Sequence, residues 1–110
     1  MPDRTRILHL TERSLWDAAR AHGVYRMSTR GRTLEQEGFV HGSTRAQLPA
    51  VAAFLYGSYE GPDDLAVLVV DPARLEVPVT YEAREAGAEE FPQVHGPIPV
   101  DAVVRMEPWR

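Results

Sequence analysis

The stretch that most constrains the fold is Leu65-Ala66-Val67-Leu68-Val69-Val70. It is a nearly continuous apolar run, entered from a Gly-, Pro- and Asp-rich loop at 57–64 and left through Asp71-Pro72. A strand with one wet face alternates apolar and polar residues, so an unbroken run predicts a strand covered on both faces. The chain has 110 residues; a chain of that length buries roughly 65% of its unfolded surface, enough for one cohesive core. A single domain over residues 1–110 is expected, with its core at about 6–104.

The other elements are shorter. Arg6 to Leu10 reads as a strand, and Thr11 caps a helix over Glu12 to His22 that Gly23 stops. Leu15, Trp16, Ala18, Ala19 and His22 recur at helical spacing, so this helix packs on something. Val24 to Thr33 is irregular and arginine-rich, Leu34 to Glu37 forms one helical turn before Gly38, and Phe39 to Gly42 is a short strand. Ser43 or Thr44 caps a second helix through about Tyr56, with Leu48, Val51, Ala52 and Leu55 as its apolar stripe. Pro49 is tolerable only in a first turn and argues for a later start. Asp71-Pro72 opens a helical turn to Leu75, Val77 to Tyr81 alternates as a strand, and Arg84 to Glu90 is a polar loop. Phe91 to Val94 and Val100 to Met106 are further strands. About six short strands and two substantial helices, with the helices early and the strands late, predict an α+β fold.

Composition removes several chemistries. The chain has no cysteine, which excludes disulfides, iron–sulfur clusters, thiolate zinc sites and cysteine nucleophiles, and fits a cytoplasmic protein. All twelve basic residues are arginine, so lysine-dependent Schiff-base chemistry is excluded. The net charge of -4 gives no global attraction to nucleic acid or anionic lipid. Arg26, Arg30 and Arg32 still form a local basic group. No apolar run resembles a signal peptide or a membrane span.

Three segments carry candidate chemistry. In the first strand, period-two alternation puts Ile7, His9 and Thr11 on one side and Leu8 and Leu10 on the other. Gly38-Phe39-Val40-His41-Gly42-Ser43-Thr44 repeats the arrangement, with His41 and Ser43 on one face and a hydroxyl at a helix start, where phosphate is readily bound. Its glycines permit close approach of a ligand or of another backbone. Glu89-Glu90-Phe91 brings a carboxylate to the entrance of a late strand, and His95 precedes a Gly96-Pro97 turn. Capping serines, core histidines and solvated glutamates explain the same residues without any function. Metal ligation by His9, His41 and His95 with a glutamate is chemically allowed, which keeps a metal-dependent hydrolase among the alternatives, but no H-x-H or H-E-x-x-H pairing supports it. Gly42-Ser43 lacks a G-x-S-x-G frame, and no Walker or G-x-G-x-x-G loop is present.

Taken in order, Ile7-Leu8-His9-Leu10-Thr11, Glu37 through Thr44, Leu68 through Pro72 and Glu90 through Pro99 resemble the bacterial DUF952 family from about Arg6 to Val104. Members usually carry a tyrosine at the position of His95 and often a histidine at that of Gln93. The resemblance implies a fold similar to the ADP-ribosyltransferases, a split β-sandwich with two main helices and NAD, as substrate, in its cleft. It further implies His9, His41 and Glu90 as catalytic residues, with Thr11, Ser43, Thr44, Arg26 and Arg30 contacting the dinucleotide. The expected activity is ADP-ribosyl transfer to an unknown acceptor, or NAD glycohydrolysis. The alternative is a non-catalytic module that binds a nucleotide or another small molecule.

Overall fold

Leu65–Val70 forms the middle strand of a three-stranded antiparallel sheet and is buried from Ala66 onward. The computed structural model describes residues 5–61, 63–83 and 85–109; Pro62 and Arg84, which belong to the two expected polar loops, lie outside them. Along the described residues run β1 (Ile7–Glu12), α1 (Arg13–His22), β2 (Val24–Tyr25), β3 (Met27–Thr29), β4 (Arg32–Thr33), α2 (Leu34–Glu37), β5 (Val40–His41), α3 (Leu48–Tyr56), β6 (Leu65–Val70), β7 (Val79–Glu82), β8 (Phe91–Val94), β9 (Ile98–Pro99) and β10 (Val103–Trp109). Single 3-10 turns at Pro72–Arg74 and Val100–Ala102 link the later strands. The fold is therefore mixed α+β, with three helices and several small antiparallel sheets.

The first sheet has the order β1-β6-β10 and the second β5-β8-β7, while β2-β9 and β3-β4 are two-stranded. Both faces of the first sheet are covered, as the apolar run demands. Ile7, Leu68 and Val70 pack with Trp16 and Ala19 of α1, together with Tyr25, Val40 and Val94. Leu8, Leu10, Val67 and Val69 pack with Leu48, Ala52 and Tyr56 of α3. The two larger sheets are tied by a bridge at Leu8 and Ser43, whose backbones exchange hydrogen bonds of 2.9 and 2.8 Å.

The departures from expectation have local causes. The first strand runs on through Thr11 and Glu12 because both still pair with β6, opposite Ala66 and Leu65. Thr11 is thus no helix cap. Helix α1 is capped from a distance, the backbone N–H of Ser14 donating to the Asp63 carboxylate at 3.1–3.2 Å. Ala18 and His22 face solvent. The arginine-rich segment becomes three short strands, its turn made by Gly31 at φ +74°. Helix α3 begins only at Leu48, with Pro49 in its first turn. Ahead of it, Thr44 and Gln47 satisfy each other reciprocally, Thr44 N–H on the Gln47 amide oxygen at 2.9 Å and Gln47 N–H on the Thr44 hydroxyl at 3.2 Å. Among the described residues no helix is long and apolar enough to cross a membrane.

Helix α2 is only four residues long and is held at both ends. Thr33 and Gln36 form a capping box, and Gly38 closes the helix at φ +88°. A Cβ at Gly38 would meet nothing within 4 Å, so the cost of Gly38→Ala is purely conformational, about 1 kcal/mol. Chemical denaturation should show a lower midpoint with an unchanged slope.

Candidate functional site

The second sheet separates core from groove by strand alternation alone. Its register aligns Val40, Val94 and Val79 in one row, then His41, Gln93 and Thr80 in the next, and Phe91 with Glu82 further along. Val40 and Val94 are buried in the core, and Val79 packs against it. The odd-numbered residues of β5 and β8 turn the other way, toward α3. There, Thr29, Glu37, Phe39, His41, Gly42, Glu82, Ala83, Phe91 and Gln93 line a groove of about 540 Å³ whose far wall is Ala50, Val51, Phe54 and Leu55 of α3. Phe54 is 77% exposed on its rim. Such a volume suits a small organic ligand.

Aromatic and charged groups are interleaved in the groove. The Phe39 ring lies between two imidazoles, with its centroid 4.5 Å from His41 and 5.9 Å from His95. Glu37 accepts from Arg32 at 3.0 Å and also stands 3.8 Å from His41 Nε2. The Thr80 hydroxyl donates to Glu82 at 2.7 Å and lies 2.8 Å from His95 Nε2. The formal charges in the lining are the carboxylates of Glu37 and Glu82, so the groove presents aromatic faces and negative charge together.

The residues expected to share one cleft are distributed between this groove and the core. His41 lines the groove. His9 and Thr11 are 3% and 2% exposed and lie in the interior. His9 Nδ1 is 2.6 Å from the His41 carbonyl oxygen, and its Nε2 is 2.7 Å from the Tyr25 hydroxyl, which lies 2.8 Å from the Thr11 hydroxyl. A carbonyl only accepts, so Nδ1 carries the proton. A neutral ring then takes the Tyr25 proton at Nε2, and Thr11 donates to Tyr25. Burial pushes the His9 imidazole down to about 4 and raises the Tyr25 phenol. Both changes keep this buried chain uncharged.

Ser43 and Thr44 are also buried, in the sheet bridge and in the turn before α3. Glu90 is exposed and outside the groove lining; its backbone carbonyl accepts from the Gln47 amide at 2.7 Å. Arg26 pairs with Glu35, and Arg30 lies over the rings of Tyr56 and Tyr59 at 4.7 and 5.4 Å. Tyr56 is buried, Tyr59 and Trp109 pack against the α3 core, and Phe54 is largely exposed. Among the described residues no three His, Asp, Glu or Cys side chains converge as a metal-ligand set.

The sequence reading missed Glu37, Phe39, Glu82, Phe91 and Gln93 as groove residues. A signal was present. Phe39-Val40-His41 and Phe91-Pro92-Gln93-Val94-His95 alternate between aromatic or polar residues and apolar ones. Two such strands in one sheet put every non-aliphatic residue on a single face.

Fold and groove together define a small α+β domain built to present one polar, aromatic sheet face to a ligand-sized space. The chain belongs to the DUF952 family, a protein family of unknown function, whose sequence model matches residues 10–106. It is similar to the crystal structure of protein CC0527 from Caulobacter crescentus, with a TM-score of 0.75 and 30% identity, over 94% of this chain and 85% of that one. The solution structure of CC0527 is similar at a TM-score of 0.69, again with 30% identity, over 94% and 83% of the two chains. None of the curated proteins is significantly similar to the chain.

Proposed function

We propose that the groove binds NAD and that the domain is an ADP-ribosyltransferase-like enzyme, cleaving the bond between nicotinamide and ribose. The observation that carries this reading is the lining itself: three phenylalanines, one imidazole and two carboxylates, of which Glu37 is paired with Arg32 and Glu82 is not paired with an arginine among the described residues. A flat cationic ring such as oxidised nicotinamide gains both from aromatic faces and from nearby negative charge. Two three-stranded sheets joined at the Leu8–Ser43 bridge are consistent with a split β-sandwich. Arg26 and Arg30, expected at the pyrophosphate, are engaged instead with Glu35 and with the rings of Tyr56 and Tyr59. Cleavage develops positive charge on the ribose, which a carboxylate of the groove stabilises. Water or an acceptor hydroxyl completes the reaction.

The position of Glu90 outside the lining favours a second reading, a small-molecule module without turnover. One experiment separates them. NAD, ADP-ribose and phosphorylated nucleotides are titrated while the His41 imidazole signals and the release of nicotinamide are followed. Binding with release supports the enzyme, and binding without release supports the module. No shift of His41 with any of the three overturns both. His41→Ala is expected to weaken NAD about tenfold, or about 1.4 kcal/mol. Phe54→Ser should weaken it similarly with an unchanged melting temperature, because a side chain 77% exposed contributes little to the core.

A further inference from the structure

We infer that Glu82 is the reacting carboxylate of the groove and that Thr80 and His95 are the residues that position it. The inference rests on the NAD reading above and names the group that does the chemistry. An ionised carboxylate only accepts, so the single Thr80 hydroxyl proton is committed to Glu82, at 2.7 Å. The Thr80 oxygen is then free to accept, and His95 Nε2, 2.8 Å away, donates to it. His95, Thr80 and Glu82 thus form a chain with one direction, ending on the groove wall.

The chain does for Glu82 what burial does for other catalytic groups. A glutamate on an edge strand samples many rotamers, and ordering it costs side-chain entropy. Thr80, two residues earlier on the same strand face, fixes one carboxylate oxygen and leaves the other for the ligand. Glu37 differs. Arg32 already holds one of its oxygens, and the other faces His41. A carboxylate paired with a guanidinium has little field left for a developing cation.

In the step assigned to Glu82, the bond from ribose C1′ to the nicotinamide nitrogen breaks and its electron pair goes to the ring, which leaves neutral. The positive charge passes to the ribose and is held by the open Glu82 oxygen. Water attacks C1′ and gives its proton to Glu82, which returns it to solvent. The products are ADP-ribose, nicotinamide and one proton.

The test is nicotinamide release from NAD by the wild type and by Glu82→Gln, Glu37→Gln, Glu90→Gln, Thr80→Val and His95→Gln, each checked for folding by thermal melting. Glu82→Gln should lose at least 100-fold in kcat while NAD affinity stays within about threefold. Thr80→Val and His95→Gln should lower kcat roughly tenfold with KM unchanged, and His95→Gln should also move the acidic limb of the pH profile. Thr80→Ser should restore the rate. A folded Glu82→Gln that turns over normally, or a loss confined to Glu37→Gln or Glu90→Gln, overturns the assignment of Glu82. Unchanged kcat and pH profile in His95→Gln overturns the positioning chain. A wild type that binds NAD without releasing nicotinamide overturns the enzyme reading itself, and with it this inference.

Discussion

Replacing His9 by alanine should cost about 4 kcal/mol of stability, from a cavity in a fully packed interior and from unpaired groups around it. That is a large share of the roughly 5–15 kcal/mol by which a small domain is stable. His9 is 3% exposed and is hydrogen-bonded at both ring nitrogens. Its loss strips the His41 carbonyl of its donor and the Tyr25 hydroxyl of its acceptor. Because that carbonyl belongs to β5, the same change loosens the strand that carries the His41 ring into the groove. Ligand affinity should therefore fall together with stability.

The same residue sets a pH dependence of definite sign. The His9 imidazole goes from its ordinary 6.5 to about 4 on folding. The unfolded chain thus binds a proton between these values that the folded chain refuses. The contribution of His9 is complete above pH 6.5 and is lost as pH falls toward 4, on the order of 3 kcal/mol in all. Glu107, which Arg45 and Arg105 lower from 4.5 to about 2, acts in the same direction but in a more acidic window. Denaturant melts between pH 7 and 4.5 isolate His9. His9→Phe, which does not titrate, should be less stable at pH 7 and flat across that range. A wild type equally stable at pH 7 and pH 4.5 would refute the assignment.

Gly42→Val is the second large effect, about 3 kcal/mol, from overpacking and backbone shift. A Cβ at Gly42 would stand 2.5 Å from Ile7 Cγ2, 3.3 Å from Pro92 Cγ and 3.4 Å from the Pro92 carbonyl oxygen. Ile7 is 1% exposed and has nowhere to move. The Gly42 N–H also donates to the Pro92 carbonyl at 3.0 Å, so displacing the chain here parts β5 from β8. Gly42→Ala should lie between the wild type and valine. Calorimetric melting of the three proteins checks the order, and a valine variant as stable as the wild type would show that the sheets can separate at little cost.

The outcome at Gly42 explains why part of the site was legible and part was not. The sequence marks the segment as one needing close approach, and the approach is real. What approaches is Ile7 on one side and the backbone of β8 on the other, with the groove beside them. His9-x-Thr11 and His41-x-Ser43 look alike in sequence, a histidine two residues before a hydroxyl on a strand. One lies on the core face of β1 beside Tyr25, the other on a face turned to α3, and local spacing is identical in both cases. Glu90 and Glu82 are likewise both glutamates at strand ends. Only Glu82 is paired, by register, with Phe91 across the groove face.

By itself the sequence determined the elements whose causes are local or compositional. These are the strand Leu65–Val70 buried on both faces, the stop of α1 at Gly23, the short helix ending at Gly38, the alternation of each strand, and the chemistries excluded without cysteine and lysine. Tertiary structure alone decided which alternating face met the core and which met solvent, because alternation gives two faces and does not label them. That choice depends on which strands pair and in which register, as when His41, Gln93 and Thr80, residues up to 52 positions apart in the chain, fall into one row.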